Sequence, residues 1–131
     1  MSNEITVSVS AQLSNLGLTD IFQPGNIQVT QTNQELFRRV IALTAGSDTS
    51  LTALISGITT LGIAYLYNLD PTNYIQWGPD SGGALVPVGR LLPRSTSTPD
   101  IPAVLRLEPG ITLRAKAHTG NCNLLLAVYG N

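Results

Sequence analysis

The second half of the chain is a succession of short apolar-rich segments, each ended by a turn signal. Between residues 61 and 129, six such segments alternate with clusters of Pro, Gly, Asp, Asn, Ser and Thr. This rhythm is typical of an all-β sandwich or barrel. We therefore predict an all-β fold, a single-domain antiparallel β-sandwich with a jelly-roll-like arrangement. The segments are Leu61–Leu69, Asn73–Gly78, Ala84–Leu92, Ala103–Leu107, Ile111–Ala117 and Cys122–Tyr129.

The first third of the chain has a weaker pattern. Ile5–Ser10 and Ile27–Gln31 alternate apolar and polar residues, which predicts half-buried strands. Leu13–Phe22 is mixed, and its pattern does not decide its secondary structure. We interpret residues 1–35 as an N-terminal arm or partly extended region that becomes ordered on assembly. A length of 131 residues allows one domain, residues 1–131, and leaves no room for a second.

Two segments in the middle of the chain are ambiguous. Glu35–Thr44 lacks a helical stripe, and its β-branched and aromatic residues favour a strand. Leu51–Gly57 is short enough for a helix of one or two turns, with Asp48 or Thr49 as its N-cap.

Three features of the β-rich half predict local detail. Leu61–Leu69 is apolar on both faces, which indicates a central strand or a strand at a subunit contact. Pro79–Gly83 is expected to be a connecting turn. Pro87 lacks the N–H that a sheet ladder needs, so its segment is predicted to be an edge strand or to carry a bulge.

Charged residues make up 11% of the sequence, whereas typical domains carry about 25%. Two explanations fit this low value. The surface of a β-rich fold can be built from Ser, Thr, Asn and Gln, or it can be covered by neighbouring subunits, because obligate interfaces are depleted in charge.

Net charge and hydropathy limit the classes of partner. The net charge is −1, so the sequence gives no support for direct nucleic-acid binding, which needs a basic face. No run approaches the roughly 20 apolar residues of a membrane span, and no signal peptide is recognisable. We expect a protein made in the cytoplasm of its host, with no membrane and no small-molecule substrate as partner.

One segment, Gly78–Val86, resembles the nucleophile loop of chymotrypsin-like serine proteases. In that loop a Gly-Asp-Ser-Gly-Gly run presents the serine, but here Pro79 interrupts the run and removes a backbone donor. The family's catalytic histidine precedes its serine, whereas His118 follows Ser81. We interpret the segment as a turn and predict no enzyme activity.

Metal and cofactor chemistry is also disfavoured. His118 and Cys122 are four residues apart across a turn, with no further soft ligand beside them. Cys122 is expected to be a small buried or half-buried strand residue. The eight acidic residues occur singly, and no phosphate-binding glycine loop is present, so we predict no metal and no cofactor.

Basic and aromatic residues are the candidate interface residues. Arg106, paired across the Pro109-Gly110 turn with the following strand, would extend a basic patch that is either a solvated face or a surface for an anionic partner. The aromatic residues, with Tyr74 among them, are either core and interface anchors or a sugar-stacking platform. The candidates are Arg38, Arg39, Tyr65, Tyr67, Trp77, Arg114 and Lys116.

The second half resembles a group of small structural proteins of tailed bacteriophages. The likeness rests on Tyr65–Gly78, a strand, an Asn-Leu-Asp-x-Thr-Asn-Tyr turn and a strand. It continues in Leu105–Gly110, in Leu113–Ala117 with its Ala-Lys-Ala run, and in the short strand Cys122–Tyr129. The resemblance covers roughly residues 61–131, and it implies a β-sandwich virion component without an active site.

Within that group the resemblance implies a capsid cement or decoration protein on the capsid surface. Its partners would be copies of itself, as a homotrimer, and the major capsid protein. A tail, baseplate or fibre-attachment component is the first alternative. A carbohydrate-binding β-sandwich module is the second, and it requires exposed Trp77 and tyrosines.

Overall fold

The computed structural model describes residues 5–32, 34–94 and 101–130, and it is all-β and sandwich-like, as the sequence predicts. The chain divides into two compact units, Met1–Gln34 and Glu35–Asn131. The described residues include no helix that is long and apolar enough to cross a bilayer. The strands are β1 (Ile5–Ser8), β2 (Ala11–Asn15), β3 (Leu18–Phe22), β4 (Asn26–Val29), β5 (Leu36–Leu43), β6 (Thr49–Ser50), β7 (Leu61–Asn68), β8 (Ile75–Ser81), β9 (Ala84–Leu85), β10 (Gly89–Leu91), β11 (Ala103–Arg106), β12 (Leu113–Ala117) and β13 (Cys122–Gly130).

The first unit is a β-hairpin in two sections. β2 pairs with β3 around a two-residue turn, Leu16-Gly17, and β1 pairs with β4. Both turn residues have positive φ, 44° for Leu16 and 89° for Gly17, as in the turns that match the twist of a hairpin. The undecided segment Leu13–Phe22 is therefore the tip of a hairpin, and the two strands predicted from alternation are β1 and β4.

The second unit begins with an antiparallel sheet of four strands in the order β11-β7-β13-β5. β13 pairs with β5 over eight residues, from Cys122 opposite Leu43 to Tyr129 opposite Leu36. β7 lies between β11 and β13, which confirms that it is a central strand. The strand favoured for Glu35–Thr44 is also confirmed, as β5.

The other sheet has the order β10-β8-β12-β6, with β9 also paired to β8. Trp77 of β8 is opposite Gly89, whereas Asp80 is opposite Leu85, so the partner strand contains one extra residue around Pro87. This irregularity is a bulge on an edge strand, as the proline predicts. The expected turn at Pro79–Gly83 is shorter than predicted, because β8 continues to Ser81 and only Gly82-Gly83 turn.

The apolar core of the second unit lies between these two sheets. Alternate residues of each strand point inward, so β12 contributes Leu113, Ala115 and Ala117, all buried. The four-stranded sheet supplies the opposite wall from β5, β7 and β13. The largest fully buried apolar side chains are Leu43, Leu51, Leu66, Ile75, Leu91, Leu124, Leu126 and Val128.

The segment after β6 forms a single 3-10 turn, Thr52–Leu54, whose N-cap is Leu51 without a side-chain hydrogen bond. The predicted caps are wrong. Thr49 belongs to β6, and the Asp48 carboxylate accepts a hydrogen bond from Leu85 N–H at 2.8 Å. The Asp48 carboxylate is therefore hydrogen-bonded to β9 and does not cap the 3-10 turn.

Candidate interaction surfaces

The outer face of the four-stranded sheet carries tyrosines, arginines and apolar side chains in cross-strand rows. One row joins Leu36, Tyr129, Ile63 and Arg106 across β5, β13, β7 and β11. Directly opposed residues share a face and stand about 5 Å apart, so each row is continuous. We name this surface the Tyr–Arg face. Its residues are Leu36, Arg38, Val40, Ile63, Tyr65, Tyr67, Val104, Arg106, Leu125, Ala127 and Tyr129.

Arg38, Tyr65 and Tyr129 form a connected cluster at the centre of this face. The Arg38 guanidinium donates a hydrogen bond to Tyr65 Oη, and its Cζ lies 5.8 Å from the Tyr65 ring centroid. The Tyr65 and Tyr129 rings meet edge to face, with centroids 5.9 Å apart. The hydrogen bond to Tyr65 raises the pKa of Arg38, and burial raises the pKa of Tyr129. The cluster therefore presents an ordered cation beside two aromatic rings.

A second arginine extends the Tyr–Arg face. The Arg94 guanidinium carbon lies 5.7 Å from the ring centroid of Tyr67, and Arg94 N–H donates to Asp70 O at 2.7 Å. Arg94 follows β10, so sequence pattern alone gave no reason to place it beside β7.

Large apolar side chains of the Tyr–Arg face are exposed. Leu36 is 61% exposed, Val40 53% and Val104 46%. Beneath the neighbouring tyrosines, Ala127 is fully buried. Tyrosine and arginine are enriched at the centre of protein–protein interfaces, and that centre is more apolar than the rest of a protein surface. This arrangement provides contact area and hydrogen-bond donors for another protein surface.

The outer face of the other sheet is polar by contrast. Arg90, Gln76 and Lys116 are aligned across β10, β8 and β12. The side chain of Arg114 forms an ion pair with Asp80 of the neighbouring strand. This face has the character of a solvated surface.

The two faces of the hairpin in the first unit also carry different sets of side chains. In the β2–β3 section, Ala11 is opposite Phe22, Leu13 opposite Asp20, and Asn15 opposite Leu18, so these six residues share one face. The other face carries Gln12, Ser14, Thr19 and Ile21. We name the first set the hairpin face. Its large apolar members Leu13, Leu18 and Phe22 are exposed.

The predicted interface residues do not form one patch. Arg38, Tyr65 and Tyr67 lie on the Tyr–Arg face, whereas Arg114 and Lys116 lie on the other sheet. The expected pairing of Arg106 with the strand after the Pro109-Gly110 turn is wrong, because β11 pairs with β7 and β12 pairs with β8. The turn joins two different sheets instead of closing a hairpin.

Two further candidates point away from the Tyr–Arg face. Arg39 follows Arg38 on β5, so its side chain points to the opposite face of the sheet from Arg38. β5 is an edge strand of that sheet. Trp77 is half-buried on the inward side of β8, opposite Gly89 and Ala115. Trp77 and the tyrosines of β7 therefore do not form one stacking platform for a sugar.

Ser81 of the protease-like segment lies far from His118. His118 stacks on Tyr74 with ring centroids 4.6 Å apart, next to the start of β8. Ser81 ends β8, six residues beyond Ile75. At about 3.3 Å per residue the two ends of this strand are roughly 20 Å apart, too far for a hydrogen bond between Ser81 and His118.

Cys122 is buried at the start of β13, as predicted, and its Sγ lies 3.5 Å from Gly120 O. Burial and the nearby Asp70 raise the pKa of its thiol to about 11, so it is protonated at neutral pH. Within residues 5–32, 34–94 and 101–130, no three His, Cys, Asp or Glu residues are grouped so that they could hold a metal ion.

Much of the Tyr–Arg face is not recognisable from the sequence. Val40, Leu125 and Tyr129 lie in predicted strands, but they are not among the predicted interface residues. Their period-two alternation with buried neighbours was the available signal, but it does not reveal which strands lie side by side.

No protein-family model, curated protein or solved structure matches this chain.

Proposed function

We propose that this protein is a structural subunit of a tailed-phage virion, a cement or decoration protein that stabilises the capsid by covering junctions between subunits. The observation that carries the proposal is the Tyr–Arg face, an exposed surface with the composition of an interface centre. The resemblance of residues 61–131 to phage structural proteins supports the same conclusion and supplies the partners, copies of the chain and the major capsid protein.

The mechanism is thermodynamic. A protein that binds the assembled shell and not its dissociated subunits stabilises the shell by mass action, by about 4 kcal/mol per site at a thousandfold excess over the dissociation constant. Exposed Leu36, Val40 and Val104 provide apolar area for that contact, at roughly 25 cal/mol for each Å² removed from water. The arginines supply charge-assisted hydrogen bonds that fix its orientation.

Thermal unfolding of virus particles stripped of this protein tests the proposal. Adding back the wild-type chain is expected to raise their melting temperature. Val40→Asp places a charge in the middle of the Tyr–Arg face, so this variant is expected to lose at least tenfold in affinity and to leave the particles as labile as before.

Val88→Asp is the matched control, because Val88 is 62% exposed and lies beside the other sheet. It should restore stability like the wild type. Equal restoration by the Val40 variant, or no restoration by the wild-type chain, would contradict the proposal. Wild-type chain that is found on the tail instead of the shell would favour the baseplate alternative.

A further inference from the structure

We infer that the hairpin face of one copy packs on the Tyr–Arg face of a second copy, so that the protein assembles by exchanging its N-terminal hairpin. This inference rests on the proposed function, because it specifies how one of the two partners named there, a second copy of the chain, contacts the Tyr–Arg face. Both surfaces belong to the described residues, and both expose large apolar side chains.

The hairpin is the element that most needs a partner. A two-stranded hairpin alone is marginally stable in water, since it has no second layer to bury its apolar side chains against. Leu13, Leu18 and Phe22 are 44%, 63% and 55% exposed. Covering them with another sheet forms the two-layer arrangement in which β-structure is stable.

Charge selects the Tyr–Arg face as that other layer. The first 34 residues contain two acidic residues, Glu4 and Asp20, and no lysine or arginine. Asp20 lies on the hairpin face itself, opposite Leu13. The Tyr–Arg face carries Arg38 and Arg106, with Arg94 at its margin, and none of its residues is acidic.

Self-pairing of either surface is less favourable. If two hairpin faces packed on each other, the Asp20 carboxylate of one copy would approach the Asp20 carboxylate of the other. If two Tyr–Arg faces packed on each other, their arginines would approach one another. Like charges placed against each other across an interface suppress association, whereas Asp20 against Arg38 or Arg106 is an attractive pair. The hairpin-on-sheet contact is the combination in which apolar areas meet and charges are opposite.

The dimensions also agree. Neighbouring strands are about 4.8 Å apart, so a two-stranded ribbon covers about half the width of a four-stranded sheet. Each copy offers one hairpin face and one Tyr–Arg face, so two copies can exchange hairpins reciprocally, or several copies can do so head to tail around a ring. In either assembly about half the width of each Tyr–Arg face stays open for contact with the shell. A trimer, the assembly that the resemblance to phage structural proteins implies, is one such ring.

The mass of the full-length protein in solution, measured by light scattering, tests the inference. The wild type is expected to have a whole-number multiple of 13.9 kDa, two or more. Phe22→Ser is expected to give the 13.9 kDa monomer, whereas Ile21→Ser, next in sequence and on the opposite face of β3, should keep the wild-type mass. Circular dichroism confirms that both variants retain the β fold.

Charge variants provide a second measurement that does not remove apolar area. Asp20→Arg is expected to weaken association at least tenfold, because it faces the arginines of the second copy, and Asp20→Asn less. A monomeric wild type, equal masses for the Phe22 and Ile21 variants, or association of the Asp20→Arg variant as tight as the wild type would overturn the inference. A monomer that still restores particle stability would refute hairpin exchange alone and leave the proposed function standing.

Discussion

At the scale of single residues, the side chain of Asn68 connects its own strand, β7, to the turn that follows it and to β10. It is the only buried polar residue among the residues that the structure describes. Its Nδ2 donates to Asn73 O at 2.8 Å and to Leu91 O at 3.1 Å, while its Oδ1 accepts from Asp70 N–H at 2.9 Å. One side-chain amide thereby forms hydrogen bonds with backbone groups of the turn after β7 and of β10.

Asn68→Ala is expected to lower the free energy of unfolding by about 2–4 kcal/mol, because it leaves buried backbone groups without partners. Asn68→Asp should cost more, since a carboxylate would face the same carbonyl oxygens. Asn123→Ala, an exposed asparagine on β13, should change stability by less than about 0.5 kcal/mol. Chemical denaturation measures all three, and an Asn68→Ala variant as stable as the control would contradict this role.

The sequence predicted the turn around Asp70 but not the burial of Asn68. Asparagine, aspartate and proline indicate a turn from local chemistry alone. The partner Leu91 is 23 residues away from Asn68, and only the pairing of β10 with β8 brings it close. Such contacts depend on which strands are neighbours, and alternation within one strand does not contain that information.

At the scale of elements, the bulge opposite β8 depends on Gly78. Val86 N–H donates to Pro79 O at 2.9 Å and Val88 N–H donates to Trp77 O at 3.0 Å, so the bulged segment crosses directly over Gly78. A Cβ added at Gly78 would lie 2.0 Å from Val86 O, a backbone atom that cannot turn aside. The proline creates the bulge, and the glycine leaves space for it.

Gly78→Ala is expected to lower the free energy of unfolding by about 3 kcal/mol, because the strand must shift to avoid the new methyl group. Ser81→Ala, in the same strand and exposed, is the matched control and should stay within about 0.5 kcal/mol of the wild type. Equal denaturation midpoints for the two variants would show that the bulge tolerates a side chain here.

Elements with clear periodicity were predictable, and the hairpin tip was not. Asparagine is the residue expected at the first position of a two-residue turn with positive φ, and here that position holds Leu16. The Glu108-Pro109-Gly110 turn shows the opposite case. Its residues are typical of a hairpin turn, but it connects strands of two different sheets.

At the scale of the whole molecule, the low charge of the chain agrees with the proposal that part of its surface contacts other subunits. Two exposed apolar surfaces of complementary charge, the hairpin face and the Tyr–Arg face, occupy a chain in which 11% of residues are charged. Composition leaves two explanations open, a surface built from Ser, Thr, Asn and Gln or a surface partly covered by neighbours. It does not show which part neighbours would cover, because that requires the register of four strands.

The position of this chain in intact particles, determined by cryo-electron microscopy, tests whether it is a cement or decoration protein. We expect density for the chain on the outside of the shell, with the Tyr–Arg face in contact with protein and the arginines at that face within hydrogen-bonding distance of it. Density in which Tyr65, Val40 and Val104 face solvent, or particles that lack the chain altogether, would contradict it.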